Sequence, residues 1–197
     1  LDNGLEASHT VREFSDIERF VDSDLHTFTQ FFETRYLLGS SKIYSEWNQS
    51  IFSVLNPETK SRLLRELFAD MEDRWNRYGD SPKVLEPNVK LSAGGLRDFQ
   101  AIEWMFILKH NILLNKQIEK TQAEIFIEEI RKLDYTTPNE CKRLLESYNI
   151  IIAVRNLLHI ISEQKNDRFE FSYQQKISEI FYPEENSLQQ FMSEYFK

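Results

Sequence analysis

The residues best suited to chemistry in this chain surround two adjacent glycines. Gly94 and Gly95 precede an apolar helical pattern, so the sequence predicts a turn that leads into a helix. A helix start offers unpaired backbone N–H groups and the positive end of the helix dipole. Lys90 lies just before this turn and Arg97 just after it. We therefore expect an anion site here, with phosphate as its usual ligand.

A plain turn is the alternative interpretation of the two glycines. Their spacing matches neither the G-x-x-x-x-G-K-[ST] loop nor the G-x-G-x-x-G turn that follows a strand. Asp98 lies in the first turn of the predicted helix, where a carboxylate suits the dipole as a cap. It could instead hold Arg97 or a metal-bound water.

The stretch around this turn resembles a known family. Residues 86–90 (Glu-Pro-Asn-Val-Lys), residues 94–98 (Gly-Gly-Leu-Arg-Asp) and Gln100 are similar to the signature of the bifunctional uridylyltransferase/uridylyl-removing enzymes that modify the nitrogen-signalling PII protein. Nucleotidyltransferases that carry CBS domains and the glutamine-synthetase adenylyltransferases share parts of it. This chain departs at residues 91–93 (Leu-Ser-Ala), where the uridylyltransferases usually have an acidic residue, glycine and proline.

The resemblance implies a function. The chain would be the helical portion of a nucleotidyltransferase that moves UMP, or another NMP, from a magnesium–nucleoside triphosphate to a regulatory protein such as PII. Its partners would be a nucleoside triphosphate, with UTP as the first candidate, and the acceptor protein. The resemblance also implies nucleotide-binding roles for six residues: Asn88, Lys90, Gly94, Gly95, Arg97 and Asp98.

The first residues resemble the last strand of that family's catalytic domain, in the pattern Asp2-x-Gly4-Leu5-x-x-x-His9. The resemblance makes Asp2 a candidate catalytic carboxylate that binds Mg²⁺, whereas an ordinary aspartate at a strand edge is the alternative. The family's Asp-x-Asp pair would lie before residue 1. We therefore expect the chain to be part of a longer protein and to be inactive alone.

Asp22-Ser23-Asp24 is not that pair. Positions i and i+2 of a helix point apart, whereas a metal pair needs both carboxylates on one side of a strand. Four histidines and one cysteine also give no zinc spacing.

The composition restricts the kinds of protein that this chain could be. The 197 residues are 41% hydrophobic and 28% charged, which is ordinary for a globular domain. The net charge of −8 argues against general binding to nucleic acid or membranes. One cysteine, Cys141, excludes an internal disulfide and favours a cytoplasmic protein. We found no signal peptide and no fully apolar run of 18 residues.

The predicted fold is mainly α: a helical bundle over residues 15–197 that follows a short N-terminal strand, residues 1–14, left from an upstream nucleotidyltransferase domain. Alternating apolar residues indicate the strand, and Ser15, with Glu18, is the expected cap of the first helix. The expected helices cover about 15–38, 43–55, 57–78, 96–111, 122–130 and 138–161, followed by two short ones.

Two further pairs of residues have alternative roles. Arg74 and Arg77 could reach phosphates or lie at a solvated helix end. Arg155 and His159 share one face of the long apolar helix, which we expect to be central, and residues 155–175 also resemble the family. His159 would contact a ligand or, more commonly, be a satisfied core histidine.

Two other functions stay open at this point. The chain could be a non-catalytic regulatory module of a CBS-linked nucleotidyltransferase-like protein. It could also be a helical interaction module without a nucleotide site, and in that case Lys90 and Arg97 should pair with core acids.

Overall fold

The computed structural model describes residues 9–81, 84–114, 120–183 and 187–196. Within these ranges the chain forms nine α-helices and one short 3-10 helix, and its one β-type pairing is an isolated bridge between Asn88 and Arg168. The predicted mainly α class is therefore confirmed. The α-helices are α1 (Phe14–Ser23), α2 (Leu25–Gln30), α3 (Ser41–Ser53), α4 (Pro57–Tyr78), α5 (Leu96–His110), α6 (Gln122–Lys132), α7 (Pro138–Ser162), α8 (Phe171–Phe181) and α9 (Ser187–Tyr195), and the 3-10 helix is Phe31–Glu33.

The first helix begins earlier than predicted. Residues 9–13 have no regular secondary structure, and Phe14 already belongs to α1. Glu13, not Ser15, precedes the helix, and its backbone N–H donates to Asp16 Oδ2 at 2.9 Å. Residues 1–8, which include Asp2 and most of the expected strand, lie outside the described residues.

The single helix expected over residues 15–38 is wrong, because Asp24 interrupts it. Asp24 is extended, and its side chain accepts hydrogen bonds from the backbone N–H and the hydroxyl of Thr27. This carboxylate therefore starts a second helix, α2. Asp22 pairs with Arg62 at 2.8 Å, so the Asp-x-Asp at this position has structural partners.

Local caps set three of the helix starts that the sequence predicted, those of α4, α6 and α7. Asn56 Oδ1 accepts from Thr59 N at 2.8 Å, and Pro57 occupies the first turn of α4. Thr121 and Thr137 form capping boxes at the starts of α6 and α7. Gly79, with φ of 109°, ends α4.

Two hydrophobic clusters make up the core. The larger one contains residues of α1 to α7 and is rich in aromatic rings, such as Phe28 and Phe32, which meet edge to face at 5.3 Å. The smaller one joins Val154 and Leu158 of α7 to α8, α9 and Phe169. Helix α7 contributes to both clusters and contacts α5, α6, α8 and α9, which confirms its predicted central place.

Helix α7 is, among the described helices, the one whose length and composition would allow it to cross a membrane. The 18-residue window responsible has a mean hydropathy of 1.3, and 11% of it is buried. Length and composition alone do not show a membrane contact, because core helices of other proteins share both.

Candidate functional site

Backbone amides around the start of α5 are paired inside the protein. The prediction that this helix start offers unpaired N–H groups is therefore wrong, since the loop before α5 folds back and its carbonyls and Asp98 accept from these amides. An anion could reach these amides only by displacing those acceptors. The pairs are Gly94 N to Asp98 Oδ2 (2.8 Å), Gly95 N to Ser92 O (2.9 Å), Leu96 N to Val89 O (3.1 Å) and Arg97 N to Lys90 O (2.8 Å).

Both glycines are needed for the shape of this loop. Gly94 has φ of 78°, a left-handed conformation that favours glycine. A Cβ atom on Gly95 would lie 2.9 Å from the carbonyl oxygens of both Ser92 and Val89. Asn88 completes the turn, because its Oδ1 accepts from the backbone N–H groups of Lys90 and Leu91. Asn88, Gly94 and Gly95 thus hold the loop in place.

Asp98 fastens α4 to α5. Its carboxylate accepts from Arg74 Nη1 at 2.8 Å and from Trp75 Nε1 at 3.0 Å, in addition to Gly94 N. Arg74 is only 6% exposed, so it does not lie at a solvated helix end. Asp98 makes no hydrogen bond to Arg97 within the described residues. Its contacts match the capping and bracing role rather than contact with a ligand.

The two stretches that resemble the family lie side by side. Val89 N donates to Asp167 O, and Phe169 N donates to Pro87 O, both at 2.8 Å. Glu86 pairs with Arg168 at 3.2 Å. The loop before α5 and the segment after α7 therefore form one unit, although they are about 80 residues apart in the chain.

Three cations converge on a cleft of about 500 Å³. Lys90 comes from the loop, Arg97 from α5 and Arg155 from α7. The side chains of Lys90 and Arg97 form no ion pair with an acid in the described part of the chain, and Arg155 uses Nε to bind Asp167 at 2.7 Å. The remaining lining residues are His26, Thr29, Gln30, Glu33, Leu96, Gln100, Trp104, Tyr148 and Ile152.

The cations repel one another in this cleft. Partial burial, followed by the charges of Arg97 and Arg155, lowers the pKa of Lys90. Burial also lowers the pKa of Arg97, while the charge of Glu33 opposes this change. Positive charge is therefore concentrated here in a chain with a net charge of −8. A bound anion would relieve the repulsion.

Asp167 fixes the position of Arg155, one of the three cations of the cleft. Partial burial acts to raise its pKa, but hydrogen bonds from Arg155 and His159 outweigh burial and hold the pKa of Asp167 below its ordinary value. His159 Nε2 lies 3.1 Å from Asp167 Oδ1. His159 thus has a protein partner, as expected of a satisfied histidine, and it does not line the cleft.

The cleft is also lined by an acidic residue, Glu33, and by the aromatic ring of Trp104. Glu33 Oε1 accepts from Trp104 Nε1 at 3.1 Å and from Gln100 Nε2 at 3.3 Å. The guanidinium of Arg97 lies 5.5 Å from the centroid of the Trp104 ring. The cleft therefore places a carboxylate and an aromatic ring beside Arg97.

The structure brings two of the predicted site residues, Lys90 and Arg97, together in the cleft. Asn88, Gly94, Gly95 and Asp98 lie in or beneath the loop that carries Lys90 and do not line the cleft. Sequence reasoning singled out Arg155 without assigning it a binding role, and it did not identify Glu33 at all. Gln100 and Trp104 follow Arg97 by three and seven positions on one face of α5, and this spacing could have indicated that they line the same cleft. The sequence near Glu33 offered no comparable signal.

The described residues do not fit a magnesium site. Among them no group of three or more histidines, cysteines or carboxylates is placed to hold a metal ion. The predicted ligand Asp2 lies outside the described residues. A magnesium ion at this cleft would therefore need ligands from outside the described part of the chain.

Comparisons with known proteins agree with the resemblance in the sequence. A family model described as GlnD PII-uridylyltransferase matches residues 62–197. Similar curated proteins, each named bifunctional uridylyltransferase/uridylyl-removing enzyme, come from Novosphingobium aromaticivorans (28% identical, covering 90% of this chain and 18% of the relative), Hydrogenovibrio crunogenus (27%, 100% and 22%) and Bradyrhizobium sp. (29%, 99% and 20%). The chain spans about a fifth of the length of these relatives. No solved structure matches it.

Proposed function

Because the chain belongs to the PII-uridylyltransferase family, we propose that it is the helical part of a nucleotidyltransferase whose cleft binds the phosphates of a nucleoside triphosphate. The observation that carries this proposal is the convergence of Lys90, Arg97 and Arg155 on one cleft. Lys90 and Arg97 form no ion pair within the described residues, so their charges are available to an anion. Arginine and lysine are the usual side chains for phosphate.

The proposed reaction is transfer of UMP from UTP to a protein acceptor such as PII. Negative charge on the triphosphate must be neutralised as the bond to the α-phosphate breaks, and fixed cations do this without reorganising. In this proposal the chain supplies those cations and orients the triphosphate. The carboxylates and the Mg²⁺ belong to other parts of the protein, with Asp2 as the one candidate from this chain, and the chain alone does not turn over.

The two other functions have less support. An interaction module without a nucleotide site predicted that Lys90 and Arg97 pair with core acids, and neither forms an ion pair within the described residues. A regulatory CBS-linked module is not favoured either, because the matched relatives are named as uridylyltransferases.

A series of ligands tests the proposal on the chain itself. Calorimetry with uridine, UMP, UDP and UTP, each with magnesium, should give an affinity that rises with the number of phosphates. Raising the salt concentration should weaken UTP binding in particular. Equal affinity for uridine and UTP, or no binding of any of the four, would contradict a phosphate-binding cleft.

A further inference from the structure

We propose that Glu33 recognises the ribose hydroxyls of the nucleotide bound in this cleft, and so selects ribonucleotides over deoxyribonucleotides. This inference rests on the proposed function and adds a specificity-determining residue to it. A carboxylate that lines a phosphate-binding cleft repels the phosphates, so its presence there calls for a separate role.

One carboxylate oxygen of Glu33 is available to a ligand. Oε1 accepts from both Gln100 Nε2 and Trp104 Nε1, so two neighbours fix the orientation of the carboxylate. Oε2 accepts no hydrogen bond within the described residues. The side chain is half-buried and lines the cleft. An oriented carboxylate with a free oxygen is suited to accept a hydrogen bond from a hydroxyl group.

Glu33 lies at the end of the cleft away from Lys90. Arg97 N donates to Lys90 O at the start of α5, and Asp167, which binds Arg155, accepts from Val89 N next to Lys90. Glu33 instead contacts Gln100 and Trp104, further along α5. Along α5, Gln100 and Trp104 follow Arg97 by three and seven residues, which is roughly 5 and 10 Å of helix rise. Arg97 therefore lies between the other two cations and Glu33.

This order fixes the direction of the nucleotide. The triphosphate lies against Lys90 and Arg155, because Glu33 repels it from the other end. Arg97 then meets the phosphate nearest the sugar, and the ribose hydroxyls face Glu33. Use of a carboxylate to accept from ribose hydroxyls also occurs in dinucleotide-binding folds.

The test compares UTP with 2′-deoxy-UTP on the wild-type chain and on Glu33→Gln. The glutamine keeps an oxygen for Gln100 and Trp104 but loses the charge and one acceptor. We expect the wild type to prefer UTP on the order of tenfold and Glu33→Gln to reduce this preference to about twofold or less. The control Glu46→Gln, on the exposed face of α3 beside Lys42, should keep the wild-type preference.

Inorganic triphosphate separates this inference from the function on which it rests. Removing the Glu33 charge should strengthen triphosphate binding, because the ion no longer meets a repulsive carboxylate. Equal weakening of UTP and 2′-deoxy-UTP in Glu33→Gln would show that Glu33 only supports the wall and would overturn the inference. If triphosphate and both nucleotides bind the wild type without sugar preference, the inference fails alone. If none of them binds, the proposed function fails as well.

Discussion

The Nε atom of Arg155 donates a 2.7 Å hydrogen bond to Oδ1 of Asp167, and this contact joins the cleft to the loop before α5. The backbone carbonyl of Asp167 accepts from Val89 N at 2.8 Å, directly before Lys90. One aspartate thus positions two cations of the cleft, one through its side chain and the other through its backbone.

Asp167 should make stability depend on pH in a defined direction. Its folded pKa lies below the ordinary value of 3.8, so ionised Asp167 stabilises the folded state. This stabilisation is fully present above pH 3.8 and is lost as the pH falls through the folded pKa. Urea unfolding at pH 7, 5 and 3 should show that the free energy by which wild type exceeds Asp167→Asn shrinks between pH 5 and 3. A difference that stays constant over this range would contradict the assignment.

The buried pair between Arg74 and Asp98 should dominate the link between α4 and α5. Asp98→Asn leaves the guanidinium of Arg74 without its nearest counter-charge, so we expect a loss of about 3 kcal/mol in the free energy of unfolding. Asp73→Asn is the matched control, because Asp73 meets Arg77 at 4.0 Å on the exposed side of α4. The control should lie within about 0.5 kcal/mol of wild type. Equal small losses for both variants would show that the buried pair is not important.

Gly95 should not tolerate a side chain. In Gly95→Ala the new Cβ would approach two backbone oxygens at 2.9 Å, and backbone atoms cannot move as easily as a flexible side chain. We expect a loss of about 1–3 kcal/mol, measured by urea unfolding, together with weaker UTP binding because Lys90 shifts with the loop. Gly95 has φ of −81°, which alanine also adopts, so the loss would come from these close contacts alone. Gly95→Ala with wild-type stability would contradict the close packing of this loop.

Helix starts could be predicted from the sequence where a short-range cap sets them. Asn56, Thr121 and Thr137 each bond to a residue three positions on, so the signal lies within one turn. The cap at Asp24 is equally local, but the apolar pattern continues across this residue. The pattern therefore predicted one continuous helix where the structure has two. Apolar periodicity reports which face is buried, and it does not report whether the backbone stays helical.

Features of the site that depend on tertiary contacts could not be predicted. Arg74 was expected to be solvated at a helix end, because its partner Asp98 lies 24 residues later in the chain and the sequence does not show that the two meet. The helix-start amides looked free because their acceptors belong to a loop whose fold was not known. Glu33 enters the cleft only because the 3-10 helix packs beside α5. Lys90 and Arg97 do line the same cleft, as expected from their positions on either side of the Gly94-Gly95 turn.

Calorimetry with magnesium–UTP on single cleft variants tests the central claim most directly. If the converging cations bind the triphosphate, Lys90→Ala and Arg97→Ala should each weaken binding on the order of tenfold or more, because each removes a charge-assisted hydrogen bond. Arg77→Ala, which removes an exposed arginine of α4 that does not line the cleft, should keep the wild-type Kd within about twofold. Measurable UTP binding with the same Kd in all three variants and wild type would contradict the claim.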